Sequence, residues 1–370
     1  MKTAKQSTST TPYSYGRPIH NRDIGLKILC NPQEANIDIV AIHGIGAHPD
    51  DTWCTSAASK GADPGYVNWL SDPRMLPLAV PTARIMRYGY KSRWFGGETI
   101  RQDVTTVADR LLVALSLKRD DYENRPLLFI AHGFGGLVVL RALLKDKHFM
   151  ESKIYQTTVG LVFFGTPFRG ADLTQTELIQ AAQDEYEDVD SRILRITEPN
   201  DEVLLQLVQD FMTVRARSKM AAELVCFYEQ VPCDVMALLG KEGKKAIRVG
   251  ESSGCLDGAQ RYSMPRTHFD INKFSDPEEE DYELVKSEIL RIVKKAPSLL
   301  ASGSQSMLGY RTLAQSSSDK NSDIQTKAGS GNACRVIGLR AEVKQLQGSP
   351  LNLLELANGF SVPAIPTNTS

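Results

Sequence analysis

Short apolar runs alternate with longer amphipathic stretches through most of this chain. The runs are rich in aliphatic, β-branched and aromatic residues and lack the polar alternation of a half-exposed strand, so each predicts a buried strand. They are Ile37–Ile42, Arg84–Tyr88, Leu127–Ala131, Thr158–Phe164, Leu224–Tyr228 and Ala246–Val249. Strands that are apolar on both sides are typical of a parallel sheet with helices on both faces. The pattern therefore predicts an α/β fold with a mostly parallel sheet.

Helical spacing of apolar residues fills the intervals between these runs. The clearest case is Thr99–Lys118, in which Thr99 and Gln102 predict a capping box at the first turn. One face of this predicted helix carries Val104, Val107, Leu111 and Leu115. A second amphipathic helix is predicted over Asp281–Lys294, where it would close the folded region.

A long stretch between the fourth and fifth runs, Leu173–Ser218, is predicted to be a mostly helical insertion. An insertion at this place either roofs a ligand pocket or forms a solvated helical layer, and the sequence favours neither. We assign the insertion to residues 171–222, within a folded domain that spans residues 26–296.

Polar, low-complexity segments flank this domain. Residues 1–25 and 297–370 are predicted to be disordered tails, because they carry too few apolar residues to form a core. In the second tail, Arg335–Gln347 has apolar residues at helical spacing. This stretch is either a helix that binds a protein partner or a transient helix in a disordered tail.

Composition and charge exclude several function classes. The chain has 43 basic and 44 acidic residues and a net charge of −1, so it has no basic surplus for binding nucleic acid. The spacing of histidines and cysteines offers no convincing metal site. The glycine-rich segments lack the third glycine of a dinucleotide fingerprint, and no phosphate-binding loop motif occurs. The sequence therefore predicts no metal and no cofactor.

The expected location follows from the signals that the sequence lacks. No apolar run approaches the roughly 18 residues that cross a bilayer, so no transmembrane segment is predicted. The first residues lack the apolar core of a secretory signal. The six cysteines form no regular framework, which favours a reducing compartment. A cytoplasmic protein is expected, with mitochondrial association as the alternative because no acidic residue precedes Asp23.

The chemistry of the chain centres on the glycine-rich turn after the third run. The strand Leu127–Ala131 leads into Gly133, Gly135 and Gly136, and an apolar helix follows over Leu137–Leu144. A strand, a tight turn and a helix form the nucleophile elbow of an α/β-hydrolase, G-x-S-x-G. The position of the serine is occupied here by Gly133. Glycine adopts the strained backbone of the elbow freely, so the turn is retained while the attacking hydroxyl is lost.

The other parts of a hydrolase site have candidates in the expected chain order. His268 follows the last predicted strand, where the general base belongs. Glu229 and Glu251 each end a predicted strand and compete for the role of the orienting acid; chain order favours Glu229. The donors that would bind the oxyanion are predicted at His43, Gly44, Gly46 and Phe134. Each of these residues could instead be an ordinary turn or surface residue.

A second G-x-S-x-G match, Gly250–Gly254, is a false candidate. No helix is predicted after it, and Ser252 is too close in sequence to His268 for an acid-bearing strand to lie between them. The motif predicts a nucleophile only within a strand, turn and helix. Ser252 is therefore not assigned as the nucleophile.

Five separated motifs resemble a known family. They are Asp38-Ile-Val-Ala-Ile-His-Gly-Ile-Gly46, Ala83-Arg-Ile-Met-Arg-Tyr-Gly-Tyr90, Phe129-Ile-Ala-His-Gly-Phe-Gly-Gly-Leu-Val138, Phe163-Phe-Gly-Thr-Pro167 and His268-Phe-Asp-Ile-Asn-Lys-Phe274. Together they resemble the lipase/serine-esterase-like α/β-hydrolase domain related to GPI inositol-deacylase and SERAC-type proteins. In fungi this domain commonly begins nucleotide-binding receptor-like proteins that carry ankyrin or TPR repeats.

The resemblance implies an α/β-hydrolase fold and a site for an acyl or lipid-like small molecule. Members with an intact elbow carry serine where this chain has Gly133, and the family's Gly-Thr-Pro-His reads here as Gly165-Thr-Pro-Phe168. His268 takes the base position and Glu229 or Glu251 the acid position. The preferred hypothesis is thus a catalytically impaired, hydrolase-like protein that acts by binding or interaction. The alternatives are an active ester or lipid hydrolase with an unrecognised nucleophile or a water positioned by His268, and an accessory protein of fungal signalling or secondary metabolism that acts through its tail.

Overall fold

A seven-stranded sheet forms the centre of the folded region. In the computed structural model, which describes residues 18–301 apart from 57–64, 97–98, 100–101, 150–152, 173, 219 and 221, its strands lie in the order β1-β5-β2-β6-β7-β8-β11. They are β1 (Gly25–Cys30), β2 (Ile37–Ile42), β5 (Ala83–Gly89), β6 (Leu127–His132), β7 (Thr158–Phe164), β8 (Glu223–Glu229) and β11 (Gln260–Met264). Two small antiparallel pairs are formed by β3 (Cys54–Ser56) with β4 (Tyr66–Asn68), and by β9 (Cys233–Asp234) with β10 (Lys245–Ala246).

Only the edge strand β1 runs antiparallel to its neighbour, and all other neighbouring strands of this sheet are parallel. This strand order, with one antiparallel edge, is that of the α/β-hydrolase fold. The predicted fold class is confirmed. No helix among the described residues is long and apolar enough to cross a membrane.

Helices cover both faces of the sheet, because alternate residues of the central strands are apolar on each side. Val40 and Ile42 of β2 belong to one core, and Ile39 and Ala41 belong to the other. The first core is shared with α2 (Val104–Arg119), α3 (Phe134–Phe149), α5 (Thr174–Glu185), α6 (Arg192–Arg195) and α7 (Glu202–Arg217). The second is shared with α1 (Leu76–Ala79) and with α9, the helix over residues 280–301. Two further short helices are α4 (Ile154–Thr157) and α8 (Glu251–Gly254).

Two predictions about secondary structure are wrong. The capping box at Thr99 and Gln102 is not formed; α2 begins at Val104, and the Asp103 carboxylate caps it by accepting the Thr106 N–H at 2.8 Å. The predicted strand Ala246–Val249 does not belong to the sheet, since only Lys245–Ala246 is extended there and it pairs with β9. The last sheet strand is β11, an edge strand with mostly exposed side chains that gives no apolar run.

The predicted tails lie mostly outside the described residues. Residues 1–17 and 302–370 are not among the described residues. The range 302–370 contains the predicted helical stretch Arg335–Gln347. The predicted insertion contains α5, α6 and α7, and all three contribute apolar side chains to the first core.

A buried carboxylate binds three arginines at the start of β2. Asp38 is fully buried and accepts hydrogen bonds from Arg84 (2.8 Å to each oxygen), Arg125 (3.1 Å) and Arg119. These arginines come from β5, from the end of α2 and from the loop before β6, so this single side chain joins three segments.

We expect Asp38→Ala to lower the free energy of unfolding by about 3–5 kcal/mol, because it leaves buried guanidinium groups without their anion. Urea denaturation measures this change. The matched control is Glu283→Ala in α9, which removes a half-exposed partner of Lys286 and should cost at most about 0.5 kcal/mol. Equal losses in the two variants would contradict a structural role for the Asp38 cluster.

Candidate active site

The carboxyl ends of the parallel strands bring the predicted site residues to one edge of the sheet. His43 follows β2, Gly133 follows β6, and Gly165 follows β7. Glu229 is the last residue of β8, and the loop after β11 carries His268. Residues more than 200 positions apart in sequence thus meet because their strands are parallel.

Gly133 forms the elbow and faces His268. Its φ is +53°, and its N–H donates to the Phe164 carbonyl at 2.9 Å. A Cβ at this position would lie 3.6 Å from His268 Nε2 and 3.9 Å from the Cα of Gly44, which are ordinary contact distances. The backbone here favours glycine, but the space beside it would accept a side chain that points at the imidazole.

The neighbouring glycines have a different physical role. A Cβ on Gly135 would lie 2.6 Å from the carbonyl oxygens of Ile42 and His43, and one on Gly136 would lie 2.2 Å from Thr166 Oγ1. These two glycines allow α3 to pack closely against β2 and the loop after β7. Steric exclusion thus fixes glycine at 135 and 136, whereas position 133 has room.

His268 is oriented by Glu229. The distance from His268 Nδ1 to Glu229 Oε2 is 2.8 Å, and the exposed fractions of the two side chains are 9% and 0%. The other oxygen, Oε1, accepts the backbone N–H of Val249 at 2.8 Å and that of Arg248. Because a carboxylate only accepts, the proton of this tautomer lies on Nδ1. The nitrogen that faces Gly133 is therefore Nε2, with its lone pair.

His132 connects the elbow to the loop that carries His268. Its Nε2–H donates to the backbone carbonyl of His268 at 2.9 Å, and the two rings lie 5.0 Å apart. Burial holds the pKa of His132 well below 6.5, so the ring is neutral. The same loop is anchored further along, where Trp69 Nε1 donates to the Asn272 carbonyl at 2.9 Å and Asn272 Nδ2 donates to the Thr52 carbonyl at 2.6 Å.

One of the predicted oxyanion donors, the backbone N–H of Phe134, is available for that role. Phe134 is the first residue of α3, so its N–H has no acceptor within the helix. The Phe134 nitrogen lies 3.8 Å from the position that a Cβ of Gly44 would take, which places it beside the loop after β2. The positive end of the helix dipole also favours developing negative charge at this point.

The Gly46 N–H and the His43 ring bond to other partners. The Gly46 N–H donates to the Ser92 carbonyl at 2.9 Å. The His43 ring is fully buried against Tyr90, where its Nδ1–H donates to the Gly44 carbonyl at 2.9 Å and its Nε2 accepts the Tyr90 N–H at 3.2 Å. Burial lowers the pKa of His43 to about 3, so it is a neutral residue that supports the turn.

Glu251 and Ser252 do not belong to this arrangement. Glu251 is the first residue of α8, its side chain is 54% exposed, and it pairs with Arg261 at 3.8 Å. Ser252 is exposed in the same short helix. Ala246–Val249 is not a sheet strand. Its last residues, Arg248 and Val249, bond to Glu229 through their backbone N–H groups, and Glu229 is the acid beside His268.

A small cavity opens between these residues and the insertion. Its volume is about 50 Å³, room for about three or four water-sized groups. The insertion contributes Ala171, Leu178, Leu194 and Thr197 to its lining, so it forms part of the cavity wall. The remaining lining residues are Gly44, Ile45, Trp94, His132, Gly133, Phe134, Pro167, Leu238, Arg248, Val249, His268 and Phe269.

Several residues of the site could not be singled out in the sequence. Arg248 and Val249 act through backbone N–H groups, which any residue other than proline supplies. Gly165 lies against the His268–Glu229 pair, since a Cβ there would come within 3.0 Å of His268 Nδ1. In the sequence, only the glycine of Gly165-Thr-Pro167 marked this position, and a glycine alone does not show that residue 165 lies against the His268 ring.

We expect Gly165→Ala to displace His268 from Glu229, because the added methyl group would lie 3.0 Å from Nδ1 and 3.1 Å from Cε1. The matched control is Gly258→Ala, which has a similar positive φ (+73°) but no atom within 4 Å of the new Cβ among the described residues. The proton NMR signal of the hydrogen-bonded Nδ1–H reports the contact. It should disappear in Gly165→Ala and persist in Gly258→Ala; the same spectrum in both variants would contradict the crowding.

Comparisons with known proteins return likenesses of fold. No protein-family model matches the chain, and no curated protein is similar to it. Among solved structures, the mature Bacillus licheniformis lipase BlEst2 is 12% identical, with 72% of this chain and 97% of that chain covered and a TM-score of 0.41. A lipase-esterase related protein from Clostridium acetobutylicum is 11% identical (73% and 99% covered, TM-score 0.41). Human thioesterase 2 is 12% identical (71% and 98%, TM-score 0.34).

Proposed function

We propose that this chain is an ester-binding protein of the α/β-hydrolase fold that keeps the base and the acid of a serine hydrolase but lacks the nucleophile. The observation that carries this proposal is the position of His268. Its Nδ1 is held by Glu229 at 2.8 Å, and its Nε2 lies 3.6 Å from the place where a side chain on residue 133 would begin. This is the arrangement of a triad, in which a base oriented by an acid faces the nucleophile.

In this proposal each group keeps the role that its position gives it. His268 is the base, Glu229 orients it and stabilises its protonated form, and the Phe134 N–H binds the carbonyl oxygen of the ester. Gly44 lies opposite and lets the ligand approach the backbone closely. Gly133 supplies the turn and no attacking group.

The cavity supports a short acyl group as the ligand. The space beside His268 that admits water-sized groups is small, about 50 Å³, which favours a short acyl group over a long chain. Leu178, Leu194 and Leu238 make part of its lining apolar, and the polar groups are gathered around His268. Acetyl and similarly small esters therefore fit the site best.

Labelling of the wild-type chain tests the missing nucleophile. We expect no adduct by intact-mass analysis after incubation with a fluorophosphonate, because no hydroxyl faces His268 at position 133. In parallel, titration with methyl acetate should shift the indole N–H signal of Trp94, which lines the cavity, and leave that of Trp53 in the other core unchanged. An adduct on the wild-type chain, or a Trp94 signal that does not move, would contradict the proposal.

A further inference from the structure

His132 lies between the loops that form the candidate site. It is the last residue of β6, it precedes Gly133, and its side chain is buried. Its Nε2–H donates to the backbone carbonyl of His268 at 2.9 Å, and the two ring centroids lie 5.0 Å apart. Its other ring nitrogen, Nδ1, lies 3.4 Å from the position that a Cβ of Gly44 would take. The imidazole is therefore placed between the loop that carries the base and the loop after β2.

The two nitrogens of His132 differ in how they are satisfied. Nδ1 is buried and has no hydrogen-bond partner in the described part of the chain. A buried acceptor without a partner destabilises the folded state, and an apolar side chain of similar size would avoid that cost. Packing alone therefore does not account for a histidine at this position. The hydrogen bond that Nε2–H makes to the His268 carbonyl does account for it.

The charge state of His132 suits a neighbour of the base. Burial holds the pKa of His132 well below 6.5, and the adjacent His268 lowers this pKa further. The ring is thus neutral, with its single proton on Nε2 and a lone pair on Nδ1. A neutral ring places no positive charge beside His268, so the base can take up a proton without repulsion from residue 132.

We propose that His132 is a positioning residue for the base, and that its Nε2–H holds the main chain of His268 so that the imidazole stays between the Glu229 carboxylate and the elbow. The inference rests on the proposed function, in which His268 is the base. It gives the residue before the elbow glycine a role that acts through His268 and not on the ligand.

The base needs this second point of attachment. The His268 ring is held at Nδ1 by Glu229 at 2.8 Å, and a ring held at one atom can pivot about that hydrogen bond. The bond from Trp69 Nε1 to the Asn272 carbonyl anchors the same loop four residues later, so it does not fix the His268 carbonyl. The His132 bond fixes that carbonyl directly. A displacement of about 1 Å in a catalytic group can cost about 10²-fold in rate, so this support matters for the chemistry.

The test compares His132→Met with His132→Gln in the full-length chain. Both side chains have a reach similar to that of histidine, but only glutamine ends in an N–H donor. We expect the His268 Nδ1–H to exchange with solvent about tenfold faster in His132→Met than in wild type, the ratio that follows from losing one hydrogen bond. In His132→Gln the exchange rate should stay close to that of wild type. Proton NMR of the Nδ1–H signal measures both rates.

The indole N–H signal of Trp69 is the internal control, because it reports the same loop at Asn272 and should be unchanged in both variants. His148→Met, which alters an exposed histidine in α3, should leave the Nδ1–H exchange rate of His268 unchanged.

Two results would overturn the positioning role. One is a lower urea midpoint in His132→Met with an unchanged exchange rate of the His268 Nδ1–H, because His132 would then be a structural residue only. The other is a His132→Gln variant that exchanges as fast as His132→Met. A fluorophosphonate adduct on wild type would instead overturn the proposed function, so the two failures are distinguishable.

Discussion

The Gly133→Ser variant is expected to become a serine hydrolase that fluorophosphonates label. The new Cβ would lie 3.6 Å from His268 Nε2 and 3.9 Å from the Cα of Gly44, its nearest contacts beyond the adjacent residues. The hydroxyl would then complete a chain of hydrogen bonds from serine through His268 to Glu229. Triad members together account for a factor of about 10⁶ in turnover, so even an imperfectly placed serine should raise p-nitrophenyl acetate hydrolysis by about 10²- to 10⁴-fold over wild type.

The backbone sets the cost of this change. Residue 133 has φ +53°, and a non-glycine residue there costs of order 1–3 kcal/mol of folding free energy. Gly133→Ala carries the same cost and the same Cβ but no hydroxyl, and it should remain unlabelled. Gly133→Ser combined with His268→Gln should also remain unlabelled. If Gly133→Ser folds and is inert, or if it labels without His268, the alignment of the three residues is wrong.

The interior of the fold was predictable from sequence and its edges were not. Strands β2, β6 and β7 are buried on both faces, so each appears as a continuous apolar run. The edge strands β1 and β11 consist largely of half-buried or exposed residues and give no such run. The prediction of Ala246–Val249 as the last strand followed from the same limitation, because an apolar run was available there and β11 offered none.

The same holds for the site. The sequence identified residues by their type and their order along the chain, but it did not identify the contacts that depend on the folded structure. Gly133 and His268 were identified by the order of motifs along the chain, which reflects the order of the strands. Chain order favoured Glu229 over Glu251, but both follow short apolar runs, and only the sheet topology shows which of them lies beside His268. The Gly46 N–H was expected to be free for an oxyanion, because a sequence does not tell that this amide is already bonded to the Ser92 carbonyl.

The second large effect is expected from Glu229→Gln in the Gly133→Ser background. The Glu229 carboxylate accepts the Arg248 and Val249 N–H groups on Oε1 and the His268 Nδ1–H on Oε2. In glutamine the carbonyl oxygen must face the two backbone donors, because an amide NH₂ there would leave donors facing donors. Its NH₂ then points at His268 Nδ1, which has to become an acceptor.

That change moves the imidazole proton to Nε2, so the base would face the serine with a proton instead of a lone pair. The equivalent carboxylate-to-amide change in a serine protease lowers turnover by about 10⁴-fold for this reason, and we expect a loss of that order here. The matched change Glu251→Gln in the same background alters an exposed partner of Arg261 and should leave the rate within about twofold of Gly133→Ser, since exposed pairs contribute little. Initial rates with p-nitrophenyl acetate measure both effects. A large loss from Glu251→Gln with none from Glu229→Gln would reverse the assignment of the acid, whereas the opposite result would support Glu229, the acid that chain order favoured.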